Sequence, residues 1–199
     1  MDFGLLRRVN GLWRKIYPFL VSQIAELYEK DSGTVLELGP FSGGISMALA
    51  KQYPEFRITI ADESPQVLDY FKAEINASGL SGDIEIRKTA LTSLNFSDFQ
   101  FDLVIFRGAF FFLDNGGEIL KEIFRVLKEG GRAFIGGGYG KDTPSALIHE
   151  IADESRALND KLGRNRISVE ELEGIIRNAA LDDSCRIVEE GGLWVIMKK

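Results

Sequence analysis

The stretch Thr34–Ala50, TVLELGPFSGGISMALA, constrains this chain more than any other. Thr34–Leu38 is an apolar run long enough for a buried strand. Gly39–Gly44 is rich in glycine, and an amphipathic segment carrying Ile45 and Leu49 follows. Strand, glycine turn and helix in that order make a ligand cradle in α/β proteins. Glycine lets the backbone approach a ligand, and the helix start offers free N–H groups. A glycine turn by itself also serves purely steric needs. The second half of the signal is RITIA at Arg57–Ala61, followed by Asp62. A β-rich run ending in an acid, roughly 20 residues after the turn, is the ribose-binding arrangement of nucleoside-cofactor folds.

The rest of the chain alternates helix and strand. Leu5, Val9, Leu12, Trp13 and Ile16 recur at a helical period, and Pro18 opens a second helix over Phe19–Glu29. These two helices either pack on the sheet or form a lid over the site. Ser64-Pro65 reads as an N-cap and first turn, leading a helix with Val67, Leu68, Phe71 and Ile75 on one face. Ile84–Lys88 alternates as a third strand, and Phe101–Phe106 is apolar enough for a strand buried on both faces. Asn115-Gly116 opens a helix that Gly130-Gly131 closes. Arg132–Ile135 is then a fifth strand, running into Gly136–Gly140. Pro144–Leu158 and Val169–Ala180 read as helices, the second with Ser168 and Glu171 in capping-box spacing. Cys185–Val188 and Leu193–Met197 form a final hairpin. The pattern predicts an α/β fold whose sheet is mostly parallel with one antiparallel member. It forms one domain: a helical cap or lid at residues 1–32, a ligand-binding core at 33–140, and substrate-side helices with a terminal hairpin at 141–199.

Composition narrows the function classes. A chain of 199 residues with 45% apolar side chains can bury one good core, and no apolar run approaches the ~20 residues needed to span a bilayer. One cysteine, Cys185, leaves no disulfide framework or cysteine metal site, which fits a cytoplasmic location. A net charge of −6 argues against broad nucleic-acid binding. His149 with Glu150 and Asp153 does not make a metal site.

Three segments carry a family resemblance: VLELGPFSGG, ITIADESPQVL, and FQFDLVIFRGAFFFL followed by EILKEIFRVLKEGGRAFIGGG. From about Thr34 to Gly138 the chain resembles the class I S-adenosylmethionine-dependent methyltransferases, in particular the small-molecule group called type 11. The resemblance implies a Rossmann-like seven-stranded sheet, mostly parallel, with a C-terminal antiparallel hairpin and helices on both faces. It implies S-adenosylmethionine as cofactor. By the same resemblance, Glu37 organises the loop and the cofactor's amino end. Gly39 and Gly43, with Pro40 and Phe41 between them, leave room for the methionine part. Asp62 accepts hydrogen bonds from both ribose hydroxyls. Glu63 and Ser64 edge the adenine, Leu91 lies near the adenine turn, and Phe106 and Arg107 fall where the fourth strand opens into the site. Two residues depart from the family pattern. Phe41 replaces the central loop glycine, so either the loop avoids a glycine-only conformation or Phe41 covers the cofactor. Ala90 replaces a frequent aspartate, which leaves the adenine amino group to backbone carbonyls or water.

Methyl transfer from a sulfonium is a direct displacement, so the enzyme's work is alignment and exclusion of water. A general base is needed only for an acceptor that arrives protonated with a high pKa. The candidates on this side are Arg107, Tyr139 and His149. Arg107 either clamps an acidic substrate group or pairs with Asp114, Glu37 or another nearby acid. Phe110, Phe111 and Phe112 line an apolar acceptor pocket or complete the core. Tyr139, among glycines after the fifth strand, orients an acceptor or is a surface loop residue. His149, the only histidine, is a base or a surface residue. The reading that follows is methyl transfer to a small molecule, anionic or aromatic, with no nucleic acid, no stable membrane insertion and room for a homodimer. A catalytically silent cofactor-binding module is the alternative. A nicotinamide oxidoreductase is disfavoured because no G-x-G-x-x-G run occurs.

Overall fold

Helix and strand follow one another through the computed structural model, which describes residues 2–199. In chain order the elements are α1 (Phe3–Leu12), α2 (Tyr17–Tyr28), β1 (Gly33–Leu38), α3 (Gly44–Gln52), β2 (Phe56–Asp62), α4 (Pro65–Ser78), β3 (Ile84–Lys88) and β4 (Phe101–Arg107). They continue with α5 (Glu118–Val126), β5 (Leu127–Gly138), α6 (Ser145–Lys161), α7 (Val169–Asn178), β6 (Cys185–Val188) and β7 (Gly192–Lys198). The strands form one seven-stranded sheet in the order β3-β2-β1-β4-β5-β7-β6. All neighbours from β3 to β5 are parallel, and β7 runs antiparallel to both β5 and β6. This is the Rossmann-like sheet that the sequence predicts.

The central strands read as continuous apolar runs because both faces of the sheet are covered. One core joins the sheet to α1–α4 and part of α6, through residues such as Leu6, Leu20, Ile45 and Phe71. The other joins it to α5 and α7, through Leu120, Ile123, Leu172 and Ile176. Local signals set several boundaries. Ser64 caps α4, with Pro65 in its first turn, and Gly79 ends it in the left-handed conformation. Ser168 and Glu171 form the reciprocal capping box of α7.

Two boundaries differ from the sequence reading. Helix α5 starts at Glu118 after Gly117, and it ends at Val126 rather than at Gly130-Gly131. The chain passes directly into β5, a 12-residue strand where periodicity marks only Arg132–Ile135. Pairing with β4 draws Leu127 into the sheet opposite Phe101, and the register shifts before Leu103↔Arg132. The two glycines therefore lie within that irregular ladder.

At the opposite edge from the site, Asp102 Oδ2 accepts from Thr34 N (2.8 Å), Thr34 Oγ1 (2.7 Å) and Lys128 Nζ (2.7 Å). This stitches the starts of β1, β4 and β5 together.

Candidate functional site

Strands β1, β2 and β4 bring their C-terminal ends to one edge, where open α/β sheets bind ligands. Leu38 lies opposite Ala61, and Gly39 N donates to Ala61 O at 2.9 Å, so the turn after β1 stands beside Asp62. The turn needs glycine at two points, Gly39 (φ 86°) and Gly43 (φ 94°). Glu37, fully buried at the end of β1, holds it from below. Its Oε2 accepts from Gly43 N (2.9 Å), at the cap of α3, and from Ser46 N (3.0 Å) in its first turn. Burial pushes the Glu37 carboxyl up, against these hydrogen bonds and the nearby Arg107 charge.

Arg107 holds the same turn from above. Its Nη2 donates to the Phe41 carbonyl (2.9 Å), Asn10 Oδ1 (3.1 Å) and Tyr17 Oη (3.2 Å). Its guanidinium carbon lies 4.9 Å from the Trp13 ring centroid, 5.3 Å from that of Tyr17 and 5.4 Å from that of Phe41. Among the described residues Arg107 forms no ion pair. The expected partners are engaged elsewhere: Glu37 on the turn, and Asp114 as an acceptor for Glu118 N at the start of α5. Helices α1 and α2 reach the same turn: Asn10 Nδ2 donates to Pro40 O (3.1 Å), and the Tyr17 ring covers Gly44 so closely that a Cβ there would sit 2.0 Å from it. Sequence reasoning missed Asn10 and Tyr17. Asn10, Trp13 and Tyr17 share one helical face, which was the available signal.

Phe41 takes the first of its two predicted courses. It does not adopt a positive φ, and its buried ring packs on Phe111 (4.7 Å between centroids) and Gly108. A Cβ at Gly108 would stand 2.3 Å from Phe41 Cδ2, so the bulk gained at 41 fits the space left by a glycine at 108. The room beside Gly39 is also taken from within: a Cβ there would meet Phe106 Cε2 at 2.8 Å. A Cβ at Gly43 would likewise stand 3.3 Å from Phe71 Cδ1, so both positions call for a residue without a side chain.

Asp62 is only 3% exposed, and its Oδ1 accepts from Ser64 N at 2.8 Å. Burial pushes its carboxyl up to about 6, the Ser64 N–H opposing and the Glu63 charge adding to the shift. A shallow cleft lined by Glu63, Ser64, Thr89 and exposed Ala90 opens beside it, while Leu91 is buried below. A desolvated carboxylate next to an open cleft suits a partner offering two hydroxyl donors, so these residues fit the nucleoside end of the cofactor.

On the other side of Arg107 lies a cavity of about 290 Å³. Trp13, Phe41, Phe110 and Phe111 line its inner part, and Arg156, Arg164 and Arg166 belong to its wall. Tyr139 lines it too, but not from a free loop: its ring stacks on Trp13, 4.9 Å apart and nearly parallel. Burial raises its phenol's pKa. His149 is exposed on α6 and lines neither this cavity nor the cleft, so the structure does not bring it to the site. Among the described residues no cluster of histidine, cysteine and carboxylate side chains could hold a metal.

The family model described as a methyltransferase domain matches residues 36–135, half of the chain, from β1 through most of β5. The chain belongs to the S-adenosylmethionine-dependent methyltransferases. A crystal structure assigned as such a methyltransferase from Methanococcus maripaludis is 27% identical to this chain. It aligns over 98% of this chain and 91% of that one with a TM-score of 0.83. The ubiquinone/menaquinone biosynthesis C-methyltransferase UbiE of Hydrogenovibrio crunogenus is 27% identical over 136 residues, 68% of this chain and 50% of the relative. The malonyl-[acyl-carrier protein] O-methyltransferase of Priestia megaterium is 25% identical over 166 residues, 80% of this chain and 58% of that protein. The chain spans about half the length of the curated relatives it matches. PigF, solved with S-adenosylhomocysteine, shares the fold with a TM-score of 0.65 at 19% identity.

Proposed function

We propose that this domain transfers a methyl group from S-adenosylmethionine to a small molecule bound in the cavity beside Arg107. The observation that carries the reading is one of placement. Asp62 and the turn held by Glu37 stand side by side on adjacent strands, and Phe41 of that turn also lines the aromatic cavity beside Arg107. The cofactor supplies an electrophilic methyl on a sulfonium. Asp62 is suited to the ribose hydroxyls, and the Glu37-held turn, Gly39 to Gly43 through Pro40 and Phe41, to the amino-acid end. Glu63 and Leu91 border the adenine side, and Phe106 the exit of β4. Arg107 positions the turn and the cap rather than reacting itself. The cap formed by α1 and α2 keeps water from the cavity's inner wall.

The cavity lining contains no carboxylate or histidine, so no general base is assigned. This favours an acceptor whose nucleophilic atom needs no strong base. A planar aromatic acceptor would stack on Phe110 and Phe111; the C-methylation named for the UbiE relatives is a further chemistry to test, with the displaced ring proton passing to solvent. The alternative, a domain that holds the cofactor without turnover, draws on the Phe106 ring over Gly39. Calorimetric titration with S-adenosylhomocysteine, followed by transfer assays with labelled S-adenosylmethionine, separates the two. Binding with transfer to an aromatic acceptor supports the enzyme, binding without any transfer supports the silent module, and no binding removes both. Asp62→Ala is expected to weaken cofactor binding by about 1–3 kcal/mol, the cost of unsatisfied buried polar partners.

A further inference from the structure

The wall of the 290 Å³ cavity carries four arginines, Arg107, Arg156, Arg164 and Arg166, and no acid. Three have partners outside the lining. Arg156 meets Asp153 at 3.3 Å, while Arg164 (3.4 Å) and Arg166 (3.0 Å) share the single Asp160. The contacts to Arg156 and Arg164 are long for charge-assisted hydrogen bonds, and Arg164 Nε is buried with no partner. Arg107, 4% exposed, is the stronger anomaly. All its hydrogen bonds run from Nη2 to neutral acceptors, its Nε has no acceptor, and it has no ion pair among the described residues. Buried guanidinium groups are ordinarily paired, so a cation at the inner end and a basic rim leave this cavity short of negative charge. Trp13, Phe41, Phe110 and Phe111 give the lining an aromatic part, and Ser155 and Asn159 are buried polar groups beside it.

We infer that the acceptor is a small anion with a planar apolar body, its acid group held by Arg164 and Arg166 and its body stacked on the Phe110–Phe111 floor under the field of Arg107. The inference rests on the methyltransferase reading of the neighbouring cleft. Asp160 then serves as a stand-in that releases the two arginines when the acid group enters. The guanidinium fork suits carboxylate and phosphate alike. The volume, near the lower bound of ligand pockets, suits a single substituted ring.

The test uses the full chain, with and without S-adenosylhomocysteine, and three probes of one size: 4-hydroxybenzoate, phenyl phosphate and the neutral 4-hydroxybenzamide. Calorimetry is expected to show at least one acid binding about tenfold or more tightly than the amide at low salt, and which acid wins identifies the group. Arg164→Gln with Arg166→Gln should abolish that preference while leaving S-adenosylhomocysteine affinity unchanged. Arg8→Gln, on an exposed pair with Glu154 away from the cavity, should keep the preference. Equal binding of acids and amide, or no binding of any, overturns the proposal. So does a preference that survives the double variant. An acid preference without S-adenosylhomocysteine binding would keep the anion site and remove the methyltransferase reading, so the two fail separately.

Discussion

Arg107 Nη2 donates a 2.9 Å hydrogen bond to the carbonyl of Phe41, tying the exit of β4 to the turn that follows β1. The same nitrogen reaches Asn10 and Tyr17, so one buried cation joins the sheet, the turn and the two N-terminal helices. Glu37 grips the other end of the turn through Gly43 and Ser46.

Arg107→Met is therefore expected to act on stability and on ligand together. It strands three buried neutral acceptors, and the unfolding free energy should fall by about 1–3 kcal/mol, the cost of leaving buried polar groups unsatisfied. Urea unfolding measures this. S-adenosylhomocysteine affinity should fall as well, because Phe41 loses its anchor; an unchanged affinity would show that the turn keeps its shape alone.

Asp62 should make cofactor binding pH-dependent. Its carboxyl, pushed up to about 6 from an ordinary 3.8, is partly protonated near pH 6, while ribose hydroxyls need the ionised acceptor. Calorimetry in buffers of different ionisation enthalpy should detect proton release on S-adenosylhomocysteine binding at pH 6 and none at pH 8. Asp62→Asn should abolish the release. For the unliganded fold the sign is opposite to that of a salt-bridged acid. The Asp62 contribution is fully present below about pH 3.8 and is lost as pH rises through about 6.

Phe106→Ala should separate stability from affinity. Losing a fully buried ring that packs on Phe112 should cost about 3–5 kcal/mol of stability. It also clears the space over Gly39, so S-adenosylhomocysteine should bind the folded variant at least as tightly as the parent. A loss of affinity in folded protein would mean that the ring supports the cofactor rather than blocking it.

Asp102→Asn tests the stitch below the sheet. Burial alone would raise the Asp102 pKa, but hydrogen bonds from Lys128 and Thr34 outweigh it and the net shift is downward. The stability it adds is present above the unfolded pKa of about 3.9 and is lost as pH falls through the lowered folded value. The variant should lose about 1–2 kcal/mol at pH 7, a modest figure because the Lys128 pair is partly solvated. Urea midpoints of parent and variant should converge in acid.

Sequence alone determined the strand–helix alternation, the caps of α4 and α7, the parallel sheet with its terminal hairpin, and the acid at the end of β2. Each is written in neighbouring residues: a period of two or near 3.6, a Ser-Pro start, a glycine stop. Tertiary structure alone decided what the side chains at the site touch. Nothing local in Phe106-Arg107 announces that Asn10, Trp13 and Tyr17 close around the guanidinium, or that Gly108 makes the room Phe41 needs. The start of β5 at Leu127 was likewise hidden, because pairing with β4 overrode the local signal of two glycines. Periodicity encodes which face of an element turns inward. Which distant faces then meet, and whether a charge finds its counter-ion there, is set by packing between residues far apart in the chain.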